Sequence, residues 1–141
     1  MRIVWIDDDV YRTELLRENL EELYSCQINF FEKYVDGIKM LQNSHAKIDA
    51  VMLDIMMPPG ELFASEDVDD GRITGLRLYE IIRKYYSGPI ILYSNFRDRA
   101  TINFYIKNDN YVKYLKKPAL AEDVLQKIFE AQHGNDFNLD D

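Results

Sequence analysis

Five short, β-prone apolar runs recur along this chain, and a segment of helical character follows each of them. The runs are Ile3 to Ile6, Cys26 to Phe31, Ala50 to Leu53, Ile90 to Tyr93 and Tyr111 to Leu115. Between Val10 and Tyr24, Leu16, Leu20 and Leu23 recur at three- and four-residue spacing among Glu and Arg, the period of an amphipathic helix. Strands that alternate with helices predict an α/β fold. Its form is a doubly wound, five-stranded parallel sheet with helices on both faces and right-handed crossovers.

The remaining helices are read the same way. Asp9 is placed to cap the first. Val35, Ile38, Met40 and Leu41 mark the second, interrupted by Gly37. Thr74 is placed to cap the third, with Leu78, Ile82 and Tyr86 on one face, and Ser87-Gly88-Pro89 ends it. Asp98 to Lys107 is the fourth, with Ala100, Phe104 and Ile106 inward. Glu122 to Gln132 is the fifth, with Val124, Leu125, Ile128 and Phe129 inward, and Leu120 before it offers no side-chain cap.

Composition narrows the function classes. With 17 Lys plus Arg against 25 Asp plus Glu, the formal net charge is −8 and there is no basic run. Such a chain is poorly suited to nucleic acid or to an anionic membrane. The single cysteine, Cys26, cannot form an internal disulfide, which fits a reducing compartment. No apolar stretch approaches the ~20 residues of a membrane span, and the first residues have too short an apolar core for a signal peptide. A cytoplasmic protein is expected.

The chemistry gathers where the apolar runs stop. Ala50 to Leu53 ends abruptly in Asp54, and Met57 with a double proline soon follows, which continues neither strand nor helix. In parallel α/β sheets, ligands sit outside the carboxyl ends of the strands, at the switch in strand order. Four of the five ends carry polar chemistry: Asp7-Asp8, Asp54, Ser94 and Lys117. Carboxylates gathered in one small site repel unless a cation compensates. A hard divalent ion such as Mg2+ takes oxygen ligands and shares phosphate oxygens. A carboxylate beside a metal and a lysine can accept a phosphoryl group, because that transfer needs mainly positioning and charge neutralisation. Ser94 can then hydrogen-bond the phosphoryl oxygens.

Four motifs now stand in order: Ile3-Val4-Trp5-Ile6-Asp7-Asp8-Asp9, Val51-Met52-Leu53-Asp54-Ile55-Met56-Met57-Pro58, Ile90-Ile91-Leu92-Tyr93-Ser94 and Tyr114-Leu115-Lys116-Lys117-Pro118. Together they resemble the receiver domain of two-component response regulators, over about residues 1 to 132. The resemblance implies a flavodoxin-like sheet of order 2-1-3-4-5. It implies Asp54 as phosphoacceptor and Mg2+ held by Asp8, Asp54 and the backbone carbonyl of Met56, with Asp7 acting through water. Ser94 would be the switch hydroxyl and Lys117 the phosphate-pairing lysine, with Lys116 as its competitor. Tyr114 falls at the family's switch aromatic, and an ordinary strand aromatic is the other reading. The implied partners are a sensor histidine kinase or phosphotransfer protein, a downstream protein effector, and a second copy through the helix 4, strand 5, helix 5 face. Phe104, Tyr105, Tyr111 and Tyr114 belong to that face.

The chain also departs from the family. Gly75 stands 21 positions after Asp54, far more than the family's usual distance to the glycine before helix 3. Residues 60–72 therefore read as an exposed acidic insertion containing Glu61, Glu66, Asp67, Asp69 and Asp70, which docks a partner, gates the site or is simply solvated. Asn95 replaces a small residue after Ser94, and Met56 offers an attacking water no side-chain hydrogen bond. Both predict slow hydrolysis of a phosphoryl group. Residues 133–141 read as an acidic tail, and no output domain is expected after it. Two alternatives stand beside the receiver reading. One is a pseudo-receiver that binds a partner without phosphorylation. The other is an aspartyl-nucleophile phosphatase, whose usual second Asp is replaced here by Met56.

Overall fold

A computed structural model of the chain describes residues 1–44, 47–64, 68, 69 and 71–134. The strands are β1 (Arg2–Ile6), β2 (Gln27–Phe31), β3 (Ala50–Leu53), β4 (Ile90–Ser94) and β5 (Val112–Lys116). The helices are α1 (Glu14–Tyr24), α2 (Tyr34–Asn43), α3 (Thr74–Ile82), α4 (Arg99–Ile106) and α5 (Ala121–His133). All strand pairs are parallel, in the order β2-β1-β3-β4-β5. The order reverses at β1 and β3, so the crevice expected at the switch point lies between the ends of those two strands.

Alternation along the strands divides the core into two layers. Val4, Ile6, Val51, Leu53, Ile90 and Leu92 face one way and pack on α2, α3 and Ile102 of α4. Ile3, Trp5, Ala50, Met52, Ile91 and Tyr93 face the other way and pack on α1 and α5. Every residue of β3 and β4 is buried, which is why these strands read as unbroken apolar runs.

Several local expectations are corrected. α1 begins at Glu14, not Val10, and its N-cap is Thr13. Asp9 instead closes the turn ahead of the helix: its Oδ1 accepts from the Arg12 N–H at 3.0 Å, and its carbonyl accepts from the Thr13 hydroxyl at 2.7 Å. Leu23 points outward and is 69% exposed. Cys26 precedes β2, buried behind Ser25, which takes a left-handed φ of 57° as α1 ends. In α2, Val35 is exposed and Tyr34 is buried in its place. Gly37 is a close-packing position, since a Cβ there would meet Ile6 Cδ1 at 2.6 Å.

Thr74 is the first residue of α3, not its cap. It is wholly buried, and its hydroxyl has no hydrogen-bond partner among the described residues. Tyr86 lies beyond α3, packed against the same core. Asp98 caps α4, accepting from the Thr101 N–H at 3.1 Å. That cap sets the helix phase so that Ile102 is buried while Ala100 and Phe104 are exposed. In α5 the inward positions are Ala121, Val124, Ile128 and Ala131, with Phe129 exposed against His133. Leu120 provides no side-chain cap, as expected; Asp123 accepts from its N–H at 3.1 Å.

The segment after Asp54 is not simply an exposed loop. Phe63 and Val68 are buried in the α2–α3 core layer. The Met57 N–H donates to Gly71 O at 3.0 Å, and the Gly75 N–H donates to Ile55 O at 2.8 Å, so the insertion leaves and returns at one place. Compact loops with close ends packed on their own side chains have this form. Glu61 and Asp69 are exposed, while Glu66, Asp67 and Asp70 lie outside the described residues, as does 135–141 of the acidic tail.

Candidate functional site

The switch point brings the strand-end acids together. Asp7 follows β1 and is fully buried; its backbone N–H donates to Phe31 O at 3.1 Å, continuing the sheet by one bond. Asp54 follows β3 in the same way, with its N–H on Ile6 O at 3.0 Å. Asp8 projects to the exposed side. One carboxylate oxygen each from Asp7, Asp8 and Asp54 lies within 4.8 Å of the others.

Lys117 reaches this group from the end of β5. Its Nζ stands 2.8 Å from Asp7 Oδ2 and 3.3 Å from Asp54 Oδ2. Apart from this ion pair, the buried Asp7 Oδ2 has no hydrogen-bond partner among the described residues. Asp7 Oδ1 accepts from the Asp9 N–H at 2.9 Å, and Asp54 Oδ1 from the Met56 N–H at 3.3 Å. Lys116, the alternative lysine, is exposed and makes no described contact with the acids.

The electrostatics follow from this crowding. Burial, then the charge of Asp54, pushes the Asp7 carboxyl up to about 7, against the opposing pull of Lys117. The same two causes raise Asp8. Burial alone would lower Lys117, but the charges of Asp54 and Asp7 outweigh it and hold the ammonium form. Three acids thus face one cation, and a further cation would relieve the remaining repulsion. Three carboxylates within 4.8 Å form an all-oxygen donor set, which suits a hard divalent ion such as Mg2+.

Ser94 ends β4 and is fully buried. It lines a cavity of about 340 Å³ together with Asp8, Asp9, Asp54, Met56, Asn95 and Lys117. Its Oγ accepts from the Phe96 N–H at 3.2 Å. The Tyr114 hydroxyl donates to Phe96 O at 2.7 Å and lies 3.2 Å from Ser94 O. The five strand-end residues singled out from sequence are therefore neighbours, and Tyr114 is tied to the backbone around Ser94.

The sequence model of the response regulator receiver domain matches residues 3–129. The chain belongs to the response regulator receiver family. Solved structures agree on the fold. A receiver domain protein from Clostridium thermocellum is 20% identical, with 98% of each chain covered and a TM-score of 0.69. A two-component response regulator from Clostridium difficile is 22% identical, covering 96% of this chain and 98% of its own, at 0.69. An adenylate cyclase from Rhodopirellula baltica is 19% identical, covering 97% and 90%, at 0.70. None of the curated proteins matches in sequence. Receivers are signalling domains of two-component systems, and in general they bind Mg2+ at an acidic pocket. Among the described residues of this receiver, no helix is long and apolar enough to cross a membrane.

Three contacts of the receiver site were not foreseen. Phe96 is buried, and Arg72 from the end of the insertion lies 5.5 Å over its ring. Tyr93 packs beneath Lys117, 5.4 Å from Nζ to the ring centre, and its hydroxyl accepts from the Ala119 N–H at 3.2 Å. Gly75 approaches the phosphoacceptor candidate so closely that a Cβ there would lie 2.6 Å from Ile55 Cα and nearer still to Asp54 O. Only Gly75 carried a signal in the sequence, as the first glycine at a helix start after Asp54.

Proposed function

We propose that this receiver accepts a phosphoryl group on Asp54 and signals by the resulting change in its surface. The observation that carries the reading is the convergence of Asp7, Asp8 and Asp54 around Lys117, with its ammonium 3.3 Å from Asp54. Asp8, Asp54 and the Met56 carbonyl would hold Mg2+, with Asp7 acting through water. Bound there, the ion would neutralise charge on the transferring phosphoryl oxygens. An Asp54 carboxylate oxygen attacks phosphorus, a P–O bond forms, and the bond to the donor breaks with its electron pair leaving on the donor. Lys117 sits where it can pair with a phosphoryl oxygen. Lys116 does not.

Ser94 is the proposed switch hydroxyl and Tyr114 the proposed switch aromatic. Ser94 Oγ would exchange the Phe96 N–H for a phosphoryl oxygen, and Tyr114, bonded to the same segment, would repack with it. Met56 and Asn95 both line the cavity, and Met56 has no polar side-chain atom to orient an attacking water, which supports a long-lived phosphoryl group. The donor would be a sensor histidine kinase or phosphotransfer protein. Output would pass to a protein effector or a second copy through α4, β5 and α5, where Phe104 is 67% exposed. We place this chemistry in one receiver domain spanning residues 1–132. The unpaired Cys26 and the acidic charge support a cytoplasmic setting.

The test is incubation of the protein with Mg2+ and acetyl phosphate, or with beryllofluoride, followed by intact-mass or fluorine NMR detection. One adduct that disappears in Asp54→Asn is expected. No adduct, or one that survives that substitution, would overturn the assignment.

A further inference from the structure

A second cavity lies beside the acid cluster, on the side away from Lys117. It is a groove of about 540 Å³ between the start of α2 and the start of the insertion. Its apolar surface comes from Tyr34, Val35, Met57 and Pro58, and its charged surface from Asp8, Glu32 and Glu61 against Lys33, the single cation among the described lining residues. The volume falls within the range of about 300–1,000 Å³ typical of concave binding sites.

The groove is a fixed feature of the fold. The Tyr34 hydroxyl donates to Pro59 O, joining α2 to the insertion. Tyr34 packs on Phe63 behind it, with ring centres 5.8 Å apart. Gly60 takes a φ of +64°, and a Cβ there would meet the Tyr34 hydroxyl oxygen at 2.6 Å, so the chain turns here only because the residue is glycine. The inserted segment thus supplies one wall, and its buried anchors Phe63 and Val68 hold that wall in place.

The occupant is constrained by charge and shape. Glu32 and Glu61, joined by Asp8 when no ion is bound, outnumber Lys33, so the rim repels an anionic ligand and attracts a cation. An apolar wall beneath that rim suits a long aliphatic stem that ends in a charge, as in Lys or Arg. We infer that this groove is a docking surface for a segment of a partner protein that presents Arg or Lys beside an apolar residue. Asp8 lines both the groove and the proposed phosphoryl cavity, so a partner seated here lies next to the phosphorylation chemistry. The inference does not depend on phosphorylation, and its test uses none.

The experiment titrates the full chain, with EDTA present, into short fluorescein-labelled peptides and reads anisotropy. One peptide alternates Leu and Arg, a second Ser and Arg, and a third Leu and Glu. The Leu–Arg peptide is expected to bind, about tenfold more tightly than the Ser–Arg peptide, with no binding of the Leu–Glu peptide. Reversing the groove charges with Glu32→Lys and Glu61→Lys together should weaken it about tenfold, and Val35→Ser should also weaken it. The paired reversal Glu80→Lys and Glu130→Lys, remote from the groove, should change it less than about twofold. If the remote pair matches the groove pair, the attraction is only the field of an acidic protein and the inference fails. Equal binding of the Ser–Arg and Leu–Arg peptides overturns it as well. So does a dimer in sedimentation that the groove reversals dissociate, because the groove then belongs to a second copy.

Discussion

Phe96 holds Ser94 in place: its backbone N–H donates to Ser94 Oγ at 3.2 Å, while its carbonyl accepts from the Tyr114 hydroxyl at 2.7 Å. The ring of the same residue is buried under Arg72, which ends the insertion. One residue therefore connects the inserted segment, the candidate switch serine and the candidate switch tyrosine.

Arg72→Ala is expected to loosen this connection. A cation over an aromatic face at a partly exposed site contributes about 0.5–1 kcal/mol. If Arg72 braces Phe96 only while Ser94 is bonded to it, its loss favours the arrangement in which Ser94 turns to the phosphoryl group. Beryllofluoride should then bind up to about fivefold more tightly, for about 1 kcal/mol at 1.4 kcal/mol per tenfold. A fluorine NMR titration of both proteins checks this. An unchanged affinity with lowered stability would mean that Arg72 braces the ring equally in both arrangements.

Gly75→Ala should be far more costly than Gly37→Ala, although both glycines are buried in helices. A Cβ at Gly75 meets the backbone of Asp54 and Ile55, which cannot yield without moving the site. At Gly37 it meets Ile6 Cδ1 and Cγ1, side-chain atoms that shift at lower cost than backbone, and alanine regains about 1 kcal/mol of helix propensity. Overpacking against backbone costs about 3 kcal/mol. Urea denaturation should place the Gly75 variant about 2 kcal/mol or more below the Gly37 variant, with Mg2+ binding weakened only in the former. Equal losses would show that the backbone after Asp54 is softer than this packing implies.

The strand ends were readable in the sequence because a strand buried on both faces is an apolar run that must stop where polar atoms are needed. Ala50 to Leu53 followed by Asp54 is the clearest case. The helix faces were less readable. In α4 the inward positions depend on where Asp98 caps the helix, and a shift of phase exchanges Ile102 for Ala100 and Phe104. The anchors Phe63 and Val68 were hidden because isolated apolar residues in an acidic stretch carry no period. The Arg72–Phe96 contact joins residues 24 positions apart (96 − 72) and has no local signature at all.

Asp109 should govern part of the acid stability. Burial alone would raise its carboxyl, but hydrogen bonds from Arg83, Tyr79 and the Tyr111 N–H outweigh this and leave it below its ordinary value. Arg83 Nε is 2.8 Å away, and both side chains are largely buried. A carboxyl lowered by folding stabilises the fold fully above the unfolded value of about 3.9, and that contribution fades as pH falls through the lower folded value. Asp109→Asn should therefore cost about 2 kcal/mol at pH 7, the size of charge-assisted hydrogen bonds lost at a partly buried arginine. The two proteins should converge as the pH falls through the lowered folded value of Asp109. Urea midpoints across that range make the comparison, and a gap that persists undiminished in acid would assign the loss to packing instead.

Asp8→Asn should reverse sign with the ion. Without a divalent ion, Asp8 is a third acid crowded within 4.8 Å of Asp7 and Asp54, with one lysine to balance them. Removing its charge relieves repulsion, and because Asp8 is exposed the relief is modest, about 1 kcal/mol. In EDTA the variant should thus melt slightly above the wild type. A bound ion changes the comparison, because ligand that binds only the folded state stabilises it by RT ln(1 + [L]/Kd), about 2.7 kcal/mol at a hundredfold excess over Kd. The wild type should gain this with Mg2+, whereas the variant, lacking a charged oxygen ligand, should gain much less. The two melting curves are then expected to exchange order between EDTA and millimolar Mg2+. Asp36→Asn, an exposed acid on α2 outside the cluster, should show neither effect. If the Asp8 variant is the less stable protein in both conditions, its carboxylate has a structural role in the turn before α1, and the ion must be held by other groups.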